Sequence, residues 1–284
     1  MNIPFKKLHG AGNDFIIIEY DSFPYEDQFP ELALRSCHRR FGIGADGLMV
    51  VATSPSADFK MYYYNSDGSR GNMCGNGIRC FTKFVYDEGL IKTKEFKIET
   101  LAGVLTVVIT TKNNKAHTVN VSMGKMILEP SNIPVKTEKK TDFINEELEI
   151  EGRKFIISTV LMGVPHTVIF TEELDIDLIK KYGPMIENHW LFPEKTNVNF
   201  AQIVDRTHVK VGTWERGAGH TLACGTGVTS VCGVAHLLNL VEDVVWVDAE
   251  GGRLKITIHQ DQQLEMEGPA EDICCGIYFF DNPA

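Results

Sequence analysis

Two cysteines in this 284-residue chain sit in settings that suit acid/base chemistry. Cys74 lies in Asn65-Ser66-Asp67-Gly68-Ser69-Arg70-Gly71-Asn72-Met73-Cys74-Gly75-Asn76-Gly77, and Cys224 in Glu215-Arg216-Gly217-Ala218-Gly219-His220-Thr221-Leu222-Ala223-Cys224-Gly225-Thr226-Gly227. Both show Cys-Gly-x-Gly behind a polar, glycine-rich run and ahead of a segment with helical periodicity, residues 76–86 and 226–240. A thiol at the start of a helix meets unpaired amide N–H groups and the positive end of the dipole, which lower its pKa from an ordinary value of about 8.5. The same amides can seat a carboxylate without a metal or an arginine. Two such helix ends facing one carboxylate would put a sulfur on each face of its α-carbon. One, as thiolate, would remove a proton, and the other, as thiol, would return one to the opposite face. Taken singly, a cysteine before a helix reads as a small buried hydrophobe. The matching contexts tip the balance toward catalysis.

The elements that must hold these helices also repeat. Ala102-Gly103-Val104-Leu105-Thr106-Val107 follows the first helix, and Glu250-Gly251-Gly252-Arg253-Leu254-Lys255-Ile256 follows the second. Each leads to a further strand, residues 118–124 and 264–268, so the chain looks like a duplicated unit. Strand signals cover residues 15–18, 47–51, 59–64, 96–100, 104–110, 155–160, 167–170, 196–204 and 254–258. Further helices are expected at 29–39 and 175–182. A polar, proline-bearing run near 125–140 reads as an interdomain crossing. The expected domains are 1–125 plus 272–284, carrying Cys74, and 126–271, carrying Cys224. The segment 274–280 reads as one more strand, with its aromatics in a core.

With 28 basic and 38 acidic residues the net charge is −10, which argues against a general affinity for nucleic acid or anionic membrane. There is no apolar run long enough to span a bilayer and no leader-like start, so a cytoplasmic chain is expected. Seven cysteines, an odd number with no CxxC pair and no zinc-finger spacing, predict neither a disulfide framework nor a metal site.

These motifs, with His9-Gly10-Ala11-Gly12-Asn13-Asp14-Phe15, the stretch Arg40-Phe41-Gly42-Ile43-Gly44-Ala45-Asp46-Gly47 and Gly268-Pro269-Ala270, make the chain resemble the diaminopimelate epimerase family over nearly its whole length. The resemblance implies an α/β (α+β) fold of two similar domains, each a mostly antiparallel, barrel-like sheet around a central helix, with the site in the cleft. It also implies a two-base mechanism without cofactor or metal, a small amino-acid substrate and a homodimer. By the same resemblance Cys74 and Cys224 are the acid/base pair, and Gly75, Asn76, Gly225 and Thr226 cradle the reacting carboxylate. Glu215 engages the ammonium group, and Asn13, Asn65, Asn197 and Arg216 hold the rest of the substrate. The bidentate Arg216 suits a distal carboxylate. Asn13, Asn65 and Asn197 read equally well as turn-formers.

The chain departs from the family pattern at Gly163-Val164-Pro165-His166, where the family has asparagine in place of Val164, and at Gly219-His220-Thr221, where it has glutamate in place of His220. Val164, His166 and His220 are therefore candidate specificity positions, although both histidines also suit ordinary structural roles. Epimerisation of LL- to meso-diaminopimelate is the expected function. The alternative is racemisation of a single-stereocentre amino acid such as histidine, and a catalytically inactive binding relative is the third.

Overall fold

A computed structural model describes residues 1–281. Among them are seventeen strands and four α-helices, a mixed α/β fold. The chain divides into two compact units, Met1–Val121 with the segment from Gly268 onward, and Ser122–Glu267.

In the first unit the order is β1 (Asn2–Gly10), β2 (Asn13–Glu19), α1 (Phe29–Ser36), β3 (Gly47–Ala52), β4 (Phe59–Asn65), α2 (Gly75–Asp87), β5 (Glu95–Thr100), β6 (Gly103–Lys112) and β7 (Lys115–Gly124). β1 and β2 are antiparallel, β2 and β3 parallel, β3 and β4 antiparallel, β4 and β5 parallel, and β5, β6 and β7 antiparallel. The Leu48-Met49-Val50-Val51 run of β3 is buried throughout, as expected of a strand covered on both faces. α2 is buried on all sides through Ile78, Cys80, Phe81, Phe84 and Val85, the mark of a helix enclosed by its sheet. α1 opens on Phe29-Pro30, a proline where its missing N–H costs nothing. It packs Phe29 and Leu32 into an aromatic cluster with Phe23, Tyr62, Tyr64 and Phe280.

The second unit follows the same plan. Its elements are β8 (Phe143–Ile150), β9 (Arg153–Met162), β10 (Val164–Phe170), α3 (Ile176–Glu187), β11 (Asn197–Asp205), β12 (His208–Glu215), β13 (Gly219–Thr221), α4 (Gly225–Leu237), β14 (Val244–Ala249), β15 (Gly252–Ile258) and β16 (Leu264–Pro269). β9 and β10 are antiparallel, β10 and β11 parallel, β11 and β12 antiparallel, β12 and β14 parallel, and β14, β15 and β16 antiparallel. This is the pairing sequence of the first unit, strand for strand. α4 is buried through Val228, Val231, Cys232, Val234 and Ala235 in a valine-rich core. A last strand, β17 (Glu271–Phe279), returns to pair antiparallel with β1.

The structure alters several local expectations. α1 ends at Ser36, with Cys37 as its C-cap, short of residue 39. α4 spans Gly225–Leu237, starting one residue before the expected 226 and ending short of 240. α3 runs through Gly183-Pro184 to Glu187, although a proline disfavours helix in the residue before it. Burial of Ile186 and two hydrogen bonds to the Glu187 carboxylate, from Trp214 Nε1 at 2.7 Å and Gly217 N at 3.1 Å, hold the extra turn. β8 forms in Phe143-Ile144-Asn145-Glu146-Glu147-Leu148-Glu149-Ile150, whose acidic content hid a strand. Only Phe143, Leu148 and Ile150 turn inward. The aromatics of the last segment are not all core: Phe280 is buried, while Phe279 is exposed on β17.

Candidate active site

Each motif cysteine occupies the N-cap of a 13-residue helix, Cys74 before α2 and Cys224 before α4, both with extended backbone. Cys74 Sγ accepts from Gly77 N at 3.4 Å, so the sulfur caps the first turn. Cys224 Sγ meets Thr226 Oγ1 at 3.4 Å. The glycine two positions after each helix start has a steric cause. A Cβ on Gly77 would lie 2.0 Å from Met49 Cε, and one on Gly227 would lie 2.3 Å from Asn199 Oδ1. The Cys-Gly-x-Gly motif thus brings the helix start against the neighbouring strand. By contrast, Cys37 is pushed up to about 12 by burial, and burial likewise raises Cys80 and Cys232, which keeps those thiols protonated.

In the first unit the expected site residues stand at two strand ends and at the start of α2. Asn13, the first residue of β2, accepts from Cys74 Sγ on its Oδ1 at 3.5 Å and donates from Nδ2 to Asp46 Oδ2 at 2.5 Å. Gly75 and Asn76 are the first two residues of α2 and are both buried. Asn65 ends β4, across from Gly47. Its Oδ1 accepts from Tyr63 Oη at 2.7 Å and its Nδ2 donates to Ser69 Oγ at 3.0 Å, so it also shapes the turn behind the strand. Two residues here escaped sequence analysis. Arg79, fully buried in α2, donates to Gly75 O at 3.1 Å, Asn76 Oδ1 at 3.0 Å and Pro269 O at 3.2 Å. Its signal was a cation inside an otherwise apolar helical segment. The other is Asp46, whose signal was an acid in a glycine-rich loop.

The second unit brings Asn197 and Arg216 together. Asn197 Nδ2 donates to Pro165 O at 3.0 Å, and its Oδ1 accepts from Arg216 N at 2.9 Å. Arg216 Nη1 donates to Glu194 O at 2.8 Å. Glu215 ends β12 and accepts from Thr221 Oγ1 at 2.6 Å. Gly225 and Thr226 open α4. Val164 is the first residue of β10. His166, fully buried on β10, lies 3.2 Å by Nδ1 from Asn199 Nδ2, and its Nε2 has no partner among the described residues. Burial, helped by the charge of Arg216, pushes His166 down to about 3, so its ring is neutral. Asn199 links His166 to Thr213 Oγ1, which donates to Asn199 Oδ1 at 3.1 Å. His220 lies 3.4 Å from Glu250 and lines a cavity of about 260 Å³ with Leu174, Lys210, Leu222 and Asp248. No cluster of three or more histidine, cysteine or carboxylate side chains that could hold a metal occurs among the described residues. No helix among them is long and apolar enough to cross a membrane.

The profile of the diaminopimelate epimerase family matches residues 5–129 and 158–273. A diaminopimelate epimerase of Alkaliphilus metalliredigens is 59% identical over 278 residues, covering 98% of both chains. One from Clostridium perfringens is 45% identical, covering 97% of this chain and 99% of the relative. Among solved structures, a hydroxyproline epimerase from Agrobacterium vitis superposes with a TM-score of 0.72 at 13% identity, covering 97% of this chain and 90% of the other. A PhzF-family phenazine biosynthesis protein of Bacillus anthracis gives 0.71 at 14% identity, covering 99% and 100%. Both share the fold. On its sequence the chain belongs to the diaminopimelate epimerase family and is an amino-acid epimerase.

Proposed function

We propose that the protein interconverts LL- and meso-diaminopimelate, with Cys74 and Cys224 as the acid/base pair at one α-carbon. The observation that carries this is the pair of cysteines at the N-caps of two buried, equally long helices, with the substrate's expected partners at the neighbouring strand ends. One cysteine, as thiolate, takes the α-proton and becomes the thiol. The electron pair left on carbon delocalises into the adjacent carboxylate. The other cysteine, as thiol, gives its proton to the opposite face and becomes the thiolate. The net reaction moves no atom except hydrogen, and the sulfurs finish with exchanged roles. Amides of Gly75, Asn76, Gly225 and Thr226 would stabilise the charge that grows on the carboxylate. Glu215 would pair with the ammonium group, Arg216 with the distal carboxylate, and Asn13, Asn65 and Asn197 with the remainder. No step calls for a cofactor or a metal.

The names borne by relatives 59% and 45% identical support diaminopimelate over a monoamino acid. Val164 in place of the family's asparagine is what favours the second reading, a racemase of an amino acid such as histidine. We further infer a cytoplasmic homodimer. The exposed Ile273, Ile277 and Phe279 of β17 offer an apolar strand to a second copy.

Exchange of α-hydrogen in deuterated water tests both points. LL-diaminopimelate should exchange faster than histidine or any other monoamino acid. Cys74→Ala and Cys224→Ala should each slow inversion by about 10³-fold or more, while Cys37→Ala leaves it intact. Faster exchange of a monoamino acid would replace the substrate, and full turnover in either motif variant would refute the two-thiol mechanism.

A further inference from the structure

The Asn13 side chain can be oriented without ambiguity. A carboxylate is acceptor-only, so Asp46 Oδ2, 2.5 Å away, must face the amide nitrogen. The amide oxygen is then left facing Cys74 Sγ at 3.5 Å. An oxygen lone pair welcomes an S–H and repels a thiolate.

Asp46 is itself built in. Its Oδ1 accepts from Arg39 Nη2 at 2.6 Å, its Oδ2 accepts from Asp14 N at 3.2 Å, and its own N–H donates to Asp14 O at 2.9 Å. Gly44, at φ +79°, has no room for a Cβ, which would lie 2.9 Å from Arg39 Cα, so the loop holding Asp46 is tightly folded. Burial alone would raise the Asp14 carboxyl, but hydrogen bonds from Arg39 and Lys7 override it and hold Asp14 low, and ionised.

We propose that Asp46 is a positioning residue for Cys74: by holding the Asn13 amide nitrogen, it keeps an oxygen against Sγ and so favours the thiol over the thiolate. The inference rests on the proposal that Cys74 exchanges a proton with substrate. Other groups act on the same sulfur. On its own helix, the Gly77 N–H donated to Sγ and the charge of the Arg79 guanidinium favour thiolate. From β1 and β2, Lys7 and Asp14 pair with each other at 2.9 Å, and Arg39 binds both Asp14 and Asp46. Asn13 is the counterweight to the helix end. It keeps Cys74 a proton donor in the resting protein, and Asp46 decides which end of the amide it presents.

The test is site-resolved alkylation of Cys74 by iodoacetamide against pH, read by peptide mass, with each rate divided by its own high-pH plateau to remove differences in access. Four proteins are compared: the parent, Asn13→Ala, Asp46→Ala and the double variant. Each single variant should raise the normalised rate at pH 7 about fivefold, and the double variant no further than either single, because both changes remove one interaction. An unchanged rate in Asp46→Ala, or effects that multiply in the double variant, would overturn the proposal in favour of a simple charge effect. If Asp46→Ala does not fold, judged by circular dichroism, Asn13→Ala decides alone, and no rise there also overturns it. Alkylation does not require turnover. A fully active Cys74→Ala enzyme would therefore sink the catalytic assignment while leaving the Asp46 measurement readable.

Discussion

Cys74 lies nine positions past the end of β4, and Cys224 lies nine past the end of β12. Each cysteine then heads a 13-residue buried helix, followed by a hairpin turning at a positive-φ glycine, Gly103 or Gly252. Within this shared frame the side chains diverge. The first three residues of β2 are Asn13-Asp14-Phe15, and those of β10 are Val164-Pro165-His166. β4 ends in Asn65 and β12 in Glu215. Five residues past the cysteine stand Arg79 in α2 and Thr229 in α4. Duplication has kept what positions a sulfur and released what surrounds it.

The sharpest break between the halves is Arg79 against Thr229. Both are fully buried and both bond back to the carbonyl of the first helical residue, Arg79 Nη1 to Gly75 O at 3.1 Å and Thr229 Oγ1 to Gly225 O at 2.8 Å. Thr229→Val removes one bond of modest worth and should cost about 1 kcal/mol. Arg79→Met strips donors from Gly75 O, Asn76 Oδ1 and Pro269 O at once and should cost about 3 kcal/mol or more. Urea denaturation with a common m-value measures the difference. Equal costs would show that the guanidinium is no more than a second form of the threonine bond.

How much of this could be read from the chain follows from the kind of signal each feature leaves. The cysteines and their glycines are legible because a helix start against a strand tolerates no Cβ, and that constraint writes itself as Cys-Gly-x-Gly. β3 is legible because a covered strand needs an unbroken apolar run, and β4 because of its aromatic Tyr62-Tyr63-Tyr64. β8 is not, since a strand with one polar face and three acids resembles a linker. The last turn of α3 is hidden behind Pro184, because what sustains it is Trp214 and Gly217, far off in the chain. Asp46 and Arg79 failed to stand out for the same reason. Asp46 holds Asn13, and Arg79 reaches Pro269 as well as its own helix start, and no spacing rule extends to such distant partners.

A second divergence is Phe15 against His166, both fully buried at the third position of matching strands. An unfolded imidazole titrates near 6.5, whereas His166 is held down to about 3, first by burial and then by Arg216. Between those values the unfolded chain binds more protons than the folded one. His166 therefore adds stability in full above about pH 6.5 and loses it as pH falls toward 3. Asp14 and Asp248, both lowered, act only below their ordinary value of 3.8. His166→Phe, which copies the first unit, should flatten stability against pH between 4 and 6 by up to one proton, about 1.4 kcal/mol per pH unit. Parallel slopes for parent and variant would mean that His166 is protonated in the folded protein.

The smallest expected effect comes from the first residue of the same strands, Asn13 against Val164. If unlike linings serve an asymmetric substrate, the valine has removed one amide from the distal end of the second unit. Val164→Asn would restore it and make the two strands alike at that position. An added hydrogen bond present equally in ground and transition states lowers KM and leaves kcat alone. For LL-diaminopimelate the expected change is about threefold to tenfold in KM, the worth of about 1 kcal/mol. A fall in kcat instead would place the new amide where charge develops, at the reacting centre and not the distal end. No change in either constant would put Val164 out of reach of substrate, and the substrate specificity would then have to lie with the groups the two halves do not share, Asn65, Glu215 and Arg216.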